Sequence, residues 1–243
     1  MNEQWDFVFQ EYVKLLISPD GRETFESTEK LVEKIISNID SNHNSVGIDI
    51  GSGWGNLTIS LARKINRIIG VEPNRKNINE AIHRVSKEGI SNIVFKRGTF
   101  EHFSLPDKAD IITSSLAFHQ VKYRKRGIAI KNIFNHLNKD GVFVLCDTIM
   151  LFDAENDSEQ FDKVYRYLLP KTTPSKIYQK YIEPKIEKQP YIYTWKDMKK
   201  YTPKNEWYYS INDLKKIVEE NDMEIENIEE IVPFFGIVKI VKK

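Results

Sequence analysis

Short apolar stretches alternate with stretches of helical periodicity through the middle of this chain. Five short, mostly apolar stretches predict β-strands: VGIDI (46–50), RIIGV (67–71), NIVFKR (92–97), ADIITSS (109–115) and VFVLCDTIM (142–150). Intervening stretches predict amphipathic helices: 56–65, 74–89 and 125–141. Apolar strands separated by helices are typical of a parallel sheet covered on both faces, with right-handed crossover connections. The alternation therefore predicts an α/β fold.

The regions on either side of this pattern predict further helices and a strand pair. Apolar side chains at helical spacing predict helices over 5–17 and 28–39, and Ser210 is a good N-cap for a helix over 210–223. Two stretches then predict antiparallel strands joined through Pro233: EIENIEEIV and FGIVKIV.

Residues 152–209 differ in composition from the rest. They hold nine of the eleven tyrosines and five of the nine prolines, without clear periodicity. A structureless segment of this length is uncommon inside a compact domain. We therefore predict that residues 153–209 form short helices that cap the carboxyl edge of the sheet and select the acceptor of a reaction.

Composition limits the classes of partner and compartment. The chain has 243 residues, 36 basic and 35 acidic side chains and a single cysteine. This charge balance disfavours nucleic-acid binding, since duplex binders usually present a strongly basic face. One cysteine allows no disulfide within the chain, the N-terminal residues carry acids, unlike a secretory signal, and no apolar run approaches the roughly 20 residues of a membrane span. We expect a cytoplasmic protein with no membrane contact.

A glycine-rich turn at Gly51, Gly53 and Gly55 follows the first predicted strand. Its spacing is G-x-G-x-G, whereas the dinucleotide fingerprint is G-x-G-x-x-G, and Asn56 stands at the third position of that fingerprint. The Walker pattern fails as well, because no Gly-Lys-Ser/Thr follows. A pyrophosphate is therefore not the expected ligand. A ligand with a ribose and an amino-acid tail suits the turn, since glycine lets it approach the backbone closely.

Two acids accompany the glycine-rich turn. Asp49 lies two residues before Gly51, and Glu72 follows the second strand at its carboxyl end. A carboxylate at that strand end can accept hydrogen bonds from both ribose hydroxyls. Asp49 can receive a ligand ammonium, directly or through water. The alternative interpretation is a tight turn with two surface acids.

These residues resemble the motifs of the class I S-adenosylmethionine-dependent methyltransferases. VGIDIGSGWGNLTISLA is similar to their first motif, IIGVEPN to their ribose-binding strand end, and RGTFEHFSLPDKADIITSSLAFHQV to their adenine-side loop and fourth strand. The resemblance covers about three-quarters of the chain and is nearest to the branch that modifies small molecules and peptides. It implies a Rossmann-like, doubly wound, mostly parallel sheet of seven strands in the order 3-2-1-4-5-7-6, with strand 7 antiparallel.

The resemblance also implies how the chain is divided. Residues 28–152 and 210–243 form the core that binds S-adenosyl-L-methionine. Residues 1–27 form an N-terminal helical lid segment, and residues 153–209 are an aromatic-rich cap insertion.

The family's motifs place a cofactor site on twelve residues: Asp49, Gly51, Ser52, Gly53, Gly55, Glu72, Pro73, Thr99, Phe100, Glu101, Ser114 and Leu116. This chain has Thr99 where the adenine-side loop often carries an acid. The adenine amino group is then met by backbone, by Thr99 or by Glu101, and Phe100 lies against the adenine face. Ser114 and Leu116 stand where the family contacts the methionine part.

His119 is the best candidate for a general base. It follows the fourth strand at the carboxyl edge, where ligands bind in open α/β sheets, and imidazole titrates near neutral pH. Its alternative role is to hydrogen-bond backbone and shape the pocket. Asp147, near the end of the fifth strand, is a second candidate, whereas Cys146 beside it is typical of a small core residue. No cluster has metal-ligand spacing, so no metal is expected.

Aromatic residues are candidates for the wall that binds the acceptor. Tyrosine combines an apolar ring with a polar tip, and binding sites need both. With His119, the candidates are Tyr12, Tyr193 and Trp195. The alternative is that these aromatics pack a small subdomain.

Three functions fit these observations. The first is methyl transfer to a small-molecule or peptide acceptor by in-line displacement. The second uses the same cofactor but transfers or cyclises its aminocarboxypropyl group, leaving methylthioadenosine. The third is a non-catalytic cofactor-binding module, which the intact glycine-rich turn and its two acids disfavour. The missing third glycine disfavours a nicotinamide oxidoreductase.

Overall fold

The computed structural model describes residues 3–17, 23–40, 44–173, 175–184, 193–201 and 208–243. Its main sheet has seven strands, which follow two N-terminal strands, β1 (Val13–Ile17) and β2 (Glu23–Ser27). In chain order they are β3 (Val46–Ile50), β4 (Arg67–Glu72), β5 (Ile93–Arg97), β6 (Ala109–Ser115), β7 (Leu137–Thr148), β8 (Met223–Val232) and β9 (Phe235–Lys242).

The strand order of the sheet is β5-β4-β3-β6-β7-β9-β8. Numbered within the sheet, this is 3-2-1-4-5-7-6, so the predicted fold class is confirmed. Strands β3 to β7 pair in parallel, whereas β9 is antiparallel to both β7 and β8. In this register Asp49 of β3 lies between Gly70 of β4 and Thr113 of β6.

Helices cover both faces of the sheet. Successive residues of β7 point to opposite faces, so that Val144 and Cys146 join one buried core and Phe143 and Leu145 the other. The helices are α1 (Glu3–Tyr12), α2 (Glu29–Ser37), α3 (Asn56–Ala62), α4 (Arg75–Glu88), α5 (Arg126–His136), α6 (Ser158–Thr172), α7 (Ser175–Ile177), α8 (Trp195–Tyr201) and α9 (Ile211–Glu219). The described residues form no helix both long enough and apolar enough to cross a membrane.

The N-terminal segment is not wholly helical, so the predicted helix over 5–17 is wrong in its second half. Helix α1 ends at Tyr12, and β1 then pairs antiparallel with β2, with Val13 opposite Ser27. The N–H of Thr28 donates to the carbonyl of Tyr12 at 3.0 Å, which ties the end of α1 to the start of α2. The predicted lid segment therefore consists of a helix and a hairpin.

The third crossover helix is shorter than its periodicity predicted. Helix α5 ends at His136 rather than at residue 141, and β7 begins at once with Leu137. Leu137 is fully buried and pairs with Ala109 of β6, next to a register shift. At these residues, strand pairing at a buried position therefore determines the secondary structure, although the local apolar spacing fits a helix.

The predicted cap contains helices α6, α7 and α8 and a π-helical turn, Tyr178–Ile182, while residues 174, 185–192 and 202–207 lie outside the described residues. Helix α6 packs against α1: the rings of Trp5 and Tyr167 meet edge to face at 5.3 Å, and the Tyr167 hydroxyl donates to Asp6 at 2.8 Å. Both rings also contact Phe234, in the turn beside the carboxyl end of β7. Helix α6 thus lies beside that edge and packs against the N-terminal helix.

Candidate functional site

A cavity of about 340 Å³ opens where β3, β4 and β6 end, and residues of three kinds line it. The first group, which we call the sheet wall, follows the ends of β3, β4 and β5: Asp49, Gly51, Ser52, Gly53, Asn56, Leu57, Glu72, Pro73, Asn77, Thr99, Phe100 and Glu101. The second, the hairpin wall, comes from β2: Phe25, Glu26 and Ser27. A third segment follows β6: Ser115, Leu116, Ala117, Gln120 and Val121.

The glycine-rich turn needs glycine for both conformation and space. Gly51, Gly53 and Gly55 have φ angles of 77°, 53° and 85°, in the left-handed region that favours glycine. A Cβ on Gly51 would lie 2.4 Å from the Cβ of Ala117, so no side chain fits between the turn and the segment after β6. Gly55 does not line the cavity; its Cβ position faces Phe95, and it begins helix α3.

Glu72 anchors the turn from the end of β4. Its Oε2 accepts from the N–H of Gly53 at 3.1 Å, and its Oε1 accepts from the N–H of Asn74 at 2.9 Å and from Nδ2 of Asn77 at 3.1 Å. The side chain is buried but lines the cavity. These three contacts fix a carboxylate at the strand end where a ribose was predicted to bind.

Asp49 is 2% exposed, and each of its carboxylate oxygens accepts a hydrogen bond from a hydroxyl group. Thr58 donates to Oδ2 at 2.5 Å and Thr113 donates to Oδ1 at 3.1 Å. Burial raises the pKa of this carboxyl to about 6, against the lowering effect of the two hydroxyls. Asp49 is thus held by the protein itself, at the back of the turn.

Two hydroxyl groups of the cavity wall lack a hydrogen-bond partner among the described residues. They are Oγ of Ser52, in the turn, and Oγ1 of Thr99, after β5. Buried hydroxyls without a partner are costly, unless a ligand or water supplies one. Their position in the wall fits a polar ligand.

Ten of the twelve residues predicted for the cofactor line this cavity. Gly55 does not, and Ser114 is fully buried behind the wall. Leu116 lines it with a φ of 55°, which is unusual for a leucine and is typical of strained positions at functional sites.

His119 and Asp147 form a hydrogen-bonded pair behind the segment after β6. The His119 ring places Nδ1 2.6 Å from Oδ1 of Asp147, and its backbone N–H donates to Oδ2 at 2.6 Å. Asp147 is fully buried and also accepts from the Thr148 N–H at 2.8 Å and the Tyr209 hydroxyl at 3.1 Å. Burial and the nearby Asp147 carboxylate raise the pKa of Tyr209, which keeps its hydroxyl a donor. Neither His119 nor Asp147 lines the cavity, although their neighbours Ala117 and Gln120 do.

The other residues predicted for the acceptor side also lie away from the cavity lining. Trp195 is buried in the core, edge-on to Phe161 at 5.6 Å. Tyr193 packs edge-on against Tyr165 at 5.2 Å. The ring of Tyr12 lies beneath the Lys30 ammonium. In these contacts the aromatic side chains serve packing.

The hairpin wall is the part of the site that sequence reasoning missed. Phe25 is 51% exposed at the cavity, and Oγ of Ser27 lies 2.7 Å from Oγ of Ser115 at the end of β6. A signal for it exists in the sequence: Pro19-Asp20-Gly21 between two apolar runs is a turn signature. The helix predicted over 5–17 ends just before this signature.

Comparison with known proteins agrees with this geometry. Residues 41–222 match the family model of the methyltransferase domain. An uncharacterized methyltransferase of Alkaliphilus oremlandii is 27% identical over 193 residues, which cover 79% of this chain and 83% of that protein. The chain also matches Bacillus relatives, spanning 61% of their length.

Solved structures share the fold. A SAM-dependent methyltransferase from Aquifex aeolicus superposes with a TM-score of 0.58 at 14% identity, over 86% of this chain and 88% of that chain. The [4+2]-cyclase SpnF has a TM-score of 0.59 at 14% identity, over 84% of this chain and 60% of that chain. Because the family model matches well over half of the sequence, and the sheet has the order described above, the chain belongs to the class I S-adenosylmethionine-dependent methyltransferases.

Proposed function

We propose that this protein transfers the methyl group of S-adenosyl-L-methionine to a small-molecule or peptide acceptor. The observation that carries the proposal is the cavity wall at the ends of β3 and β4, where the turn of Gly51 and Gly53 meets the fixed carboxylate of Glu72. A nucleoside with an amino-acid tail fits this wall without the phosphates that the turn does not suit.

The residues of the sheet wall fit the parts of this cofactor. Glu72 accepts hydrogen bonds from the ribose hydroxyls, because it is the carboxylate fixed at the end of β4. Thr99, Phe100 and Glu101 line the adenine side, where the Thr99 hydroxyl is available as donor or acceptor. The two carboxylates Glu72 and Glu26 favour a cationic ligand.

When bound, the cofactor supplies a methyl group on a positively charged sulfur. The chain's contribution is to hold the acceptor in line with that group and to exclude water. Phe25, Leu116 and Val121 give the cavity apolar surface, and Gln120 adds a polar group. These residues support an acceptor with an apolar part that enters between the hairpin wall and the segment after β6.

We propose a positioning role for His119 and Asp147 rather than direct proton transfer. Asp147 binds both the ring and the backbone N–H of His119, and so fixes the segment from Leu116 to Val121 that lines the cavity. A carboxylate accepts only, so the His119 ring carries its proton on Nδ1. General-base catalysis by His119 is the alternative, and the pH profile of turnover distinguishes the two.

The cap, residues 153–209, is proposed to act on the acceptor site through the N-terminal segment. Helix α6 holds α1 through Tyr167 and Asp6, and α1 leads directly into the hairpin that carries the hairpin wall. Shifts of α6 are thereby transmitted to Phe25 and Glu26.

The test is a calorimetric titration with S-adenosylhomocysteine, followed by analysis of cofactor products in the presence of candidate acceptors. We expect binding of one S-adenosylhomocysteine per chain and, with the right acceptor, formation of S-adenosylhomocysteine. Absence of binding would overturn the proposal. Formation of methylthioadenosine would instead support aminocarboxypropyl transfer.

A further inference from the structure

Glu26 places a third carboxylate over the glycine-rich turn. It belongs to β2, and its Oε2 accepts from Nδ2 of Asn56 at 3.1 Å. A Cβ on Gly53 would lie 3.0 Å from Oε1 of Glu26. The backbone N–H of Gly53 meanwhile donates to Glu72. Gly53 therefore lies between two carboxylates, one from the sheet wall and one from the hairpin wall.

Four carboxylates line the cavity, and the three beside the glycine-rich turn, Asp49, Glu72 and Glu26, differ in how far the protein already satisfies them. Asp49 has a hydroxyl donor on each oxygen, and Glu72 accepts three hydrogen bonds shared between its two oxygens. Glu26 accepts one, on Oε2, and no described group donates to its Oε1. Among these three carboxylates at the turn, Glu26 therefore has the largest remaining capacity to accept hydrogen bonds from a ligand, whereas Glu101 lies on the adenine side.

Four charged side chains influence Glu26. Arg84 of α4 and Lys14 of β1 are the cations, and Asp49 and Glu72 are the acids. Burial is the largest influence, and it raises the pKa of Glu26 to about 7. Nδ2 of Asn56 donates to Glu26, and Oδ1 of Asn56 accepts from Arg84 at 2.6 Å. Asn56 therefore bridges the Arg84 guanidinium and the Glu26 carboxylate. A ligand cation that donates hydrogen bonds directly would stabilise the charged form of this buried carboxylate.

We propose that Glu26 binds the α-ammonium of the cofactor's aminocarboxypropyl tail. This inference rests on the proposed function, since it assumes that the cofactor occupies this cavity. An ammonium has three N–H donors, which match the open oxygen of Glu26, whereas the sulfonium has none and the tail carboxylate is repelled. The role first predicted for Asp49 thus passes to a residue of the hairpin wall, and cofactor binding draws that wall onto the turn.

The test compares two ligands that differ in the tail. S-Adenosylhomocysteine carries the ammonium, and 5′-methylthioadenosine keeps the adenine, ribose and thioether without it. Glu26→Gln removes the charge while keeping the shape of the side chain. We expect S-adenosylhomocysteine to bind about ten-fold or more weakly to this variant, and 5′-methylthioadenosine to bind within about two-fold of its wild-type affinity.

Glu33→Gln is the matched control, because Glu33 is an exposed glutamate on α2, the next helix. It should leave both affinities unchanged. If Glu26→Gln weakens neither ligand, or weakens both equally while folding normally, the ammonium assignment is overturned although the cofactor site stands. If the wild-type protein binds neither ligand, the proposed function itself fails.

Discussion

The sheet wall and the hairpin wall of the cavity are built in different ways. In the sheet wall, the N–H groups that hold Glu72 come from residues 2 and 19 positions away, within one strand–turn–strand motif. In the hairpin wall, Ser27 meets Ser115, which is 88 positions away. The first wall is encoded by a local pattern, and the second exists only once distant parts of the chain are packed together. We propose that the two walls also differ in function: the sheet wall binds the nucleoside part of the cofactor, and the hairpin wall binds its tail and the acceptor.

The largest effect is expected in the sheet wall, from Gly51→Ala. Its new Cβ would lie 2.4 Å from Ala117, and a φ of 77° is strained for alanine, so the turn and the segment after β6 must move apart. We expect affinity for S-adenosylhomocysteine to fall by about 100-fold, measured by calorimetry. Gly89→Ala is the control: its φ is 67°, but nothing lies within 4 Å of the Cβ position. Equal binding losses in both variants would mean that backbone strain, rather than the clash in the cavity, is responsible.

Glu72→Ala should weaken binding roughly ten- to hundred-fold, because it removes a charge-assisted contact worth about 1.5–3 kcal/mol. Unlike Glu26→Gln, it should weaken S-adenosylhomocysteine and 5′-methylthioadenosine alike, since both carry the ribose. A selective loss for only one of these ligands would contradict the division between the walls.

Asp147→Asn tests the buried pair behind the cavity. The amide of the variant would place its own N–H donors against the donors of His119, Thr148 and Tyr209. Because these donors would lose an acceptor, we expect the free energy of unfolding, measured by urea denaturation, to fall by about 2 kcal/mol. Asp107→Asn is the control, since Asp107 is exposed and pairs only with Arg67 at the surface. If the two variants are equally stable, the pair does not hold the segment after β6.

A further effect is expected in the pH dependence of stability without ligand. The pKa of Asp49 is raised to about 6 and that of Glu26 to about 7, so the folded state holds protons that the unfolded state has released. The free energy of unfolding should therefore fall as pH rises from about 4 to 7, and be restored at lower pH. In Glu26→Gln the decline should be smaller and should end near pH 6. A stability that rises over this range would be evidence against the buried carboxylates.

The sheet wall could be predicted from the sequence because its residues belong to local sequence motifs. Continuous apolar strands alternating with helices predicted the α/β fold. The resemblance of the glycine-rich turn and its two acids to the class I methyltransferase motifs implied the strand order and ten of the residues that line the cavity. Ser114 was included by motif position, but strand alternation turns it away from the cavity.

The hairpin wall was not predicted, because the apolar residues of β1, the strand that pairs with β2, have spacings that fit a helix as well as a strand. The strand conformation is stabilised by two contacts: Val13 pairs with Ser27, and Ser27 contacts β6. Neither contact can be read from a local sequence pattern. Trp195 likewise has the composition of a binding-site residue, yet it fills the core against Phe161. An aromatic-rich segment thus predicts burial of rings and leaves open whether a ligand or the protein covers them.

A crystal structure of the protein with S-adenosylhomocysteine tests the central claim most directly. We predict the ribose hydroxyls at Glu72, the adenine between Phe100 and Thr99, and the tail ammonium within hydrogen-bond distance of Glu26. A ligand bound at another edge of the sheet would contradict the assignment of the cavity. A ligand in the cavity with its ammonium bound to Asp49, and with Glu26 turned away, would contradict the proposal that the hairpin wall binds the cofactor's tail.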